Sequence, residues 1–213
     1  MNKIKLSGIY PISPNYIRSD DEYLEKCFIA ITSGINIFQF RSPFASSRKK
    51  RYLLNEIYKY CVNNNVQLVI NNDYCIARLY EGAGVHIGKK DLSIKSIKNI
   101  IGSETLIGYS CGSEFMNLKH LKENGISYYS IGALFKSSTK MNTERLSKDT
   151  IKKYRAFYDL PMCIIGGLDK YNIESAIEYQ PDMIAISNGI FGQKRDKIQD
   201  SIKVFQEKMN AKS

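Results

Sequence analysis

The sequence predicts an α/β fold in which eight parallel strands close into a barrel, the (β/α)8 architecture of a TIM barrel. Short apolar, β-branched runs recur about every 20 to 30 residues, each followed by a segment with helical periodicity. The run Val66–Ile70 is almost wholly apolar, as expected of a strand buried on both faces of a parallel sheet. Polar residues and glycines collect after nearly every run, and no glycine-rich dinucleotide loop follows the first. Both features disfavour the runner-up, an open doubly wound sheet, which gathers its ligand groups at one crossover.

The first run, Ile4–Ile12, is partly apolar, and Pro11 and Pro14 bring it to an end. Asp20–Ile31 reads as a helix with Tyr23, Leu24, Cys27, Phe28 and Ile31 near one face, stopped at Gly34. Ile35–Phe40 is the second strand. Ser46–Val62 is the clearest helix, with Tyr52, Leu53, Ile57, Tyr60 and Cys61 in its apolar stripe and Arg48 to Arg51 mostly facing solvent. Val66–Ile70 follows, then a short helix over Tyr74–Tyr80. Gly84–Ile87 is the fourth strand and Ser93–Ile100 the next helix. Thr105–Tyr109 is the fifth strand, followed by a helix over Glu114–Glu123. The sixth strand, Ile126–Ile131, breaks at Gly132 into a segment rich in hydroxyls and closed by Lys140. After a polar connector come a helix over Lys148–Tyr158, a strand over Met162–Ile165 and a helix over Asn172–Tyr179. The strand Asp182–Ile186 and a last helix over Asp196–Met209 complete the chain.

The 213 residues suit one barrel domain, 1–213, without an interdomain linker. The formal net charge of +10 is compatible with anionic ligands, with nucleic acid or with solubility alone. The basic residues are dispersed and match no nucleic-acid module, so no nucleic-acid partner is expected. The five cysteines form no CxxC pair, which suits a reducing compartment and a cytoplasmic protein. No window is apolar over the length of a membrane span and no leader pattern is present, so no membrane partner is expected. The sequence leaves the oligomeric state open, a homo-oligomer included.

In such a barrel the C-terminal ends of the strands share one face. There the chain offers Gln39 and Arg41, then Asn71, Asn72 and Asp73, then Lys89 and Asp91, then Ser110. Ser137, Ser138, Thr139 and Lys140 follow the sixth strand, and Gly166-Gly167 and Ser187-Asn188-Gly189 the last two. This rim is positive and amide-rich with few carboxylates, and it suits a ligand carrying several phosphate oxygens. The glycines let backbone amides approach a phosphate, and a short helix after the eighth strand would point its N-terminus at the same anion.

Asp91 is the best candidate for a divalent ion, and it reads equally as a cap for the helix near Ser93. Asp73 can cap the helix at Tyr74 in the same way. His86, between Val85 and Ile87, is either a satisfied core group or one that orients a ligand. His120 faces solvent. Two histidines and unpaired cysteines exclude zinc catalysis, and Gly112-Ser113 lacks the nucleophile elbow. Tyr128, Tyr129 and Phe135 read as core packing.

Taken in order, these segments resemble the superfamily of thiamine-phosphate synthase and thiazole tautomerase. Gln39-Phe40-Arg41 is similar to its Gln-x-Arg-x-Lys, and Ile70-Asn71-Asn72 to its Ile-Asn-Asp. Gly84 to Asp91 resembles Gly-Val-His-Leu-Gly-Gln-x-Asp, and Gly108-Tyr109-Ser110 its Gly-x-Ser. Gly132 to Lys140 resembles Gly-Pro-Ile-Phe-Pro-Thr-x-Thr-Lys, and Gly166-Gly167 and Ile186-Ser187 fall on its phosphate-cradling segments. The resemblance implies phosphorylated thiazole and pyrimidine substrates and a magnesium ion on Asp91, with Asp73 as a second ligand. It implies Arg41, Ser110 and Lys140 as catalytic residues. It further implies that Gln39, Asn71, Asn72, His86, Lys89, Ser137, Thr139, Gly167 and Ser187 contact substrate.

The chain departs from the pattern in four places. The lysine two places after the arginine is Pro43, one metal aspartate is Asn72, and the glutamine before the second is Lys89. The tautomerase histidine falls at Gly112. Three functions follow as expectations: the synthase, an isomerase needing His86 or Cys111 as proton carrier, and a phosphate-ligand binder without catalysis.

Overall fold

A computed structural model describes residues 5–15, 19–136 and 146–211. The strands are β1 (Gly8–Pro11), β2 (Ile37–Phe40), β3 (Gln67–Asn71), β4 (Gly84–Gly88), β5 (Ile107–Gly112), β6 (Tyr128–Ile131), β7 (Met162–Ile165) and β8 (Met183–Ile186). The helices are α1 (Asp20–Ile31), α2 (Ser47–Asn63), α3 (Tyr74–Ala77), α4 (Ile94–Ile101), α5 (Lys119–Glu123) and α6 (Lys148–Phe157). They continue with α7 (Glu174–Ile177), α8 (Asn188–Phe191) and α9 (Ile198–Asn210). The strands form one parallel sheet in the order β1-β8-β7-β6-β5-β4-β3-β2. The two ends of that order meet through a parallel bridge between Ile12 and Gln39, and Ser13 N donates to Gln39 O at 2.8 Å. The barrel is therefore closed, and its β1–β2 seam is the most lightly hydrogen-bonded.

Serine sets the start of four helices, α1, α2, α4 and α6. Ser19 accepts from Glu22 N, Ser46 from Lys49 N, Ser93 from Ser96 N and Ser147 from Thr150 N, each satisfying one amide that the helix leaves unpaired. Asp73 does the same for α3, accepting from Ile76 N. The helix expected over Glu114–Glu123 begins only at Lys119. Two tyrosine hydroxyls of α6 take the amides that a helix would use: Met116 N donates to Tyr154 Oη and Leu118 N to Tyr158 Oη, both at 2.9 Å. Tyr154 Oη also donates to Glu114 O. These long-range bonds hold residues 114–118 out of the helix.

Alternation along each strand splits the core in two. Outward residues such as Phe38, Ile70, Val85, Tyr129 and Ile164 pack under the helices. Inward residues Tyr10, Ile12, Ile37, Val69, Tyr128, Cys163, Met183 and Ala185 fill the lumen. Tyr128 fits only because residue 108 on the neighbouring strand is glycine. A Cβ there would lie 2.1 Å from Tyr128 Cζ. A bulge between Ser110 and Gly112 in β5 ends this regular pairing close to the strand's C-terminal end.

Gly108→Ala is expected to lower stability by roughly 1–3 kcal/mol, because the buried ring has nowhere to move. Gly88→Ala, whose new methyl meets nothing nearer than 3.6 Å, should be close to neutral. Urea unfolding of both variants checks the contrast.

Candidate functional site at the mouth of the barrel

The strand ends enclose a cleft of about 880 Å³, a size typical of small-molecule sites. Gln39, Arg41, Asn71, Asn72, His86, Lys89, Asp91, Ser110, Gly167 and Ser187 all line it. Asp73 does not. It lines a smaller neighbouring cleft of about 350 Å³ with Pro43 and Lys50. Ser137, Ser138, Thr139 and Lys140 lie outside the described residues. Lys136, the last described residue before them, lines the larger cleft.

Arg41 is anchored through its backbone. Its N–H donates to Ser13 Oγ at 2.8 Å, and that hydroxyl donates to Arg41 O at 3.1 Å. Its Nη1 donates to Asn15 Oδ1. Partial burial lowers its pKa from the usual arginine value, which still leaves the guanidinium charged near neutrality. Asn72 takes a left-handed conformation, φ 61°, with its N–H on His86 O. Asparagine tolerates that geometry better than most residues.

The two candidate metal carboxylates have different surroundings. Asp73 is engaged twice, accepting from Ile76 N and pairing with Lys50 Nζ at 3.0 Å. Asp91 accepts from Gly88 N at 2.8 Å and remains at the cleft wall. Ser93, not Asp91, caps α4. Among the described residues no three His, Cys, Asp or Glu side chains converge as a metal cluster.

Gly166 and Gly167 have φ 115° and 61°. A Cβ on the first would come within 2.5 Å of Ala133 Cα, and on the second within 2.5 Å of Lys136 O. Glycine is thus required twice over, by backbone angle and by the close approach of the loop after β6. Ser187 donates to Ser13 O at 3.5 Å and immediately precedes α8, so the short helix expected after the eighth strand is present at the cleft. Five basic side chains line the cleft, Arg41, Lys89, Lys90, Lys136 and Lys170, against three acidic ones, Asp91, Glu114 and Asp169. The described wall is net positive and suits an anion.

His86 is hydrogen-bonded within the barrel and also borders the cleft. It lines the cleft, and its ring nitrogens meet Tyr128 Oη at 2.9 Å and Ser130 Oγ at 3.3 Å. Tyr10 and Ser130 also line the cleft, and neither is marked by any family motif. Their signal is phase: Tyr10 shares the inward phase of Ile12, and Ser130 that of Tyr128. Cys111 is buried, with a thiol pushed up to about 12 by desolvation. It packs in the layer beneath the helices, so it is not the reactive thiol that an isomerase would need. His120 is exposed on α5, near Asn124. No helix among the described residues is long and apolar enough to cross a membrane.

Of the five cysteines only Cys75 is exposed. One thiol should therefore react rapidly with a chromogenic disulfide reagent in the native protein, and all five after unfolding. Fast labelling of a second thiol, mapped to Cys111 by mass spectrometry, would contradict this burial.

Residues 9–190 match the family model described as thiamine monophosphate synthase. The chain is similar to the thiamine-phosphate synthase of Nitrosomonas eutropha, 27% identical over 191 residues that cover 90% of each chain. It is 29% identical to that of Alkaliphilus oremlandii over 190 residues, 89% of this chain and 90% of the other. Among solved structures it superposes on thiamine phosphate pyrophosphorylase from Pyrococcus furiosus with a TM-score of 0.85, at 17% identity over 98% of both chains.

Proposed function

The chain belongs to the thiamine monophosphate synthase family, and from that membership we propose that it joins an aminopyrimidine methyl diphosphate to a thiazole phosphate. One observation carries the reading. Apart from Asp73, every candidate site residue among the described residues lines one positive cleft.

The proposed reaction needs no general base. The bond between the pyrimidine methylene and the diphosphate oxygen breaks, and its electron pair leaves with pyrophosphate. The lone pair of the thiazole nitrogen then forms the new C–N bond. A site poor in histidine can promote this by placement and by stabilising charge on the leaving group. Arg41, Ser110 and, by the family's pattern, Lys140 are assigned to that charge. Gln39, Asn71 and Asn72 orient the pyrimidine and its diphosphate. Gly167 and Ser187 hold the thiazole phosphate, Lys89 adds to the polar wall, and the family's pattern assigns Ser137 and Thr139 to substrate contact. The family also implies magnesium. Asp91, a single carboxylate at the cleft wall, fits a magnesium ion shared with substrate phosphate oxygens better than a site made by protein alone. Such an ion supplies counter-charge to the diphosphate. The pairing of Asp73 with Lys50 favours Asp91 as the principal ligand.

Burial of Cys111 removes one of the isomerase's two candidate proton carriers and leaves His86, which lines the cleft. The binder reading is separated from the synthase by turnover.

The purified protein, given both substrates, should form product and pyrophosphate together only when magnesium is present. Arg41→Ala should lower kcat/KM by about 10- to 100-fold, as expected for a lost charge-assisted hydrogen bond. Asp91→Asn should shift the magnesium requirement to higher concentration. Thiazole phosphate that binds in calorimetry without turnover would overturn the synthase reading and leave the isomerase and the binder.

A further inference from the structure

Below the cleft, five side chains form one continuous hydrogen-bonded chain through the lumen. Gln39 Nε2 donates to Tyr10 Oη at 2.8 Å, and Tyr10 Oη lies 2.9 Å from Tyr128 Oη. Tyr128 Oη lies 2.9 Å from His86 Nδ1, and His86 Nε2 lies 3.3 Å from Ser130 Oγ. Its ends, Gln39 and Ser130, line the cleft, whereas Tyr128 is fully buried and does not reach it.

Counting protons gives this chain a direction. Each phenol carries one proton, and burial holds both hydroxyls protonated far beyond neutral pH. Tyr10 accepts from Gln39, so its own proton goes to Tyr128. Tyr128 must then give its proton to His86 Nδ1. A neutral imidazole that accepts at Nδ1 carries its proton on Nε2, pointed at Ser130. Ser130 accepts there and keeps its own proton for the cleft. The opposite polarity requires the Gln39 amide to turn over so that Oε1 meets Tyr10. The amide of Gln39 and the tautomer of His86 are thus two readings of one buried variable, and a half-reversed chain leaves a buried polar atom unpaired.

We propose that Tyr10 and Tyr128 are positioning residues that couple the Gln39 amide to the His86 tautomer, so that the cleft offers an acceptor at Gln39 Oε1 and a donor at Ser130. The ligand's identity rests on the synthase reading. An aminopyrimidine supplies the complementary pair, an amine that donates to Gln39 and a ring nitrogen that accepts. An oxo analogue presents an acceptor where the amine stood, and binding it requires the whole chain to reverse. The relay therefore selects the amino form over the oxo form.

The test has two arms. ¹⁵N NMR of the ligand-free protein at mildly alkaline pH reads the His86 imidazole directly, with His120→Gln removing the only other histidine signal. A protonated Nε2 and a bare Nδ1 are expected, and Tyr128→Phe should leave a mixture of tautomers. A protonated Nδ1, or a mixture in the parent protein, overturns the proposal. In the synthase assay, Tyr10→Phe and Tyr128→Phe should each raise KM for the pyrimidine diphosphate about tenfold, the effect of about one hydrogen bond. KM for the thiazole phosphate should not change, and the preference for amino over oxo substrate should narrow. Equal losses on both substrates, with the preference intact, would mark the tyrosines as structural only and overturn the proposal. An ordered Nε2–H tautomer in a protein without turnover would sustain the relay and overturn only the reading that identifies the ligand.

Discussion

An eight-stranded barrel sends every second residue into a lumen just wide enough for side chains to fill. The rest of this site depends on how that lumen is filled. Two tyrosines do much of it, and Tyr128 can enter only beside the bare backbone of Gly108. A phenol is a large apolar filler, but it brings a hydroxyl that must be paired once buried. The hydroxyls of Tyr10 and Tyr128 pair with each other and then with Gln39 and His86. Filling the core thus fixes polar side chains at the floor of the cleft before any ligand arrives.

The outer layer uses the same device. Tyr154 and Tyr158 of α6 reach across to the backbone of residues 114–118, whose amides would otherwise start α5 a turn or more earlier. The bulge in β5 lies next to this segment. Ser110 and Cys111 both border the cleft, but Cys111 is fully buried and packs among the outward residues. Adjacent residues on one strand are therefore assigned to different functions by alternation.

The elements with strong local signals were legible in the sequence. α1 and β7 have the bounds that periodicity predicts, and the serine-started helices begin within a residue of expectation. The late start of α5 was not legible, because its cause lies about 40 residues away in two tyrosine hydroxyls. The polar rim was legible because a barrel gathers strand ends on one face. Asp73 was separable from that rim only with Lys50 in view, a partner on another element. Tyr128 reads as core from composition, and core it is. Its second role emerges only when the inward phases of β1, β2, β4 and β6 are aligned, since Tyr10, Gln39, His86 and Tyr128 then share one interior.

The cleft has two zones with different electrostatics. Its floor is neutral: two phenols, an amide, a hydroxyl and an imidazole, largely buried. Its wall carries Arg41, Lys89, Lys90, Lys136 and Lys170, more accessible to water. At the floor a mismatched hydrogen bond is costly, because no solvent can substitute for the missing partner. At the wall, charge attracts phosphate but is screened, so it discriminates poorly between one phosphate and another. Affinity is thereby assigned to the wall and selectivity to the floor. The departures at Pro43, in the smaller neighbouring cleft, and at Asn72, whose side chain is no member of the buried chain, leave the hydrogen-bonded side chains of the floor intact. A chain can drift in its phosphate ligands and still keep the part of the site that tells one ring from another.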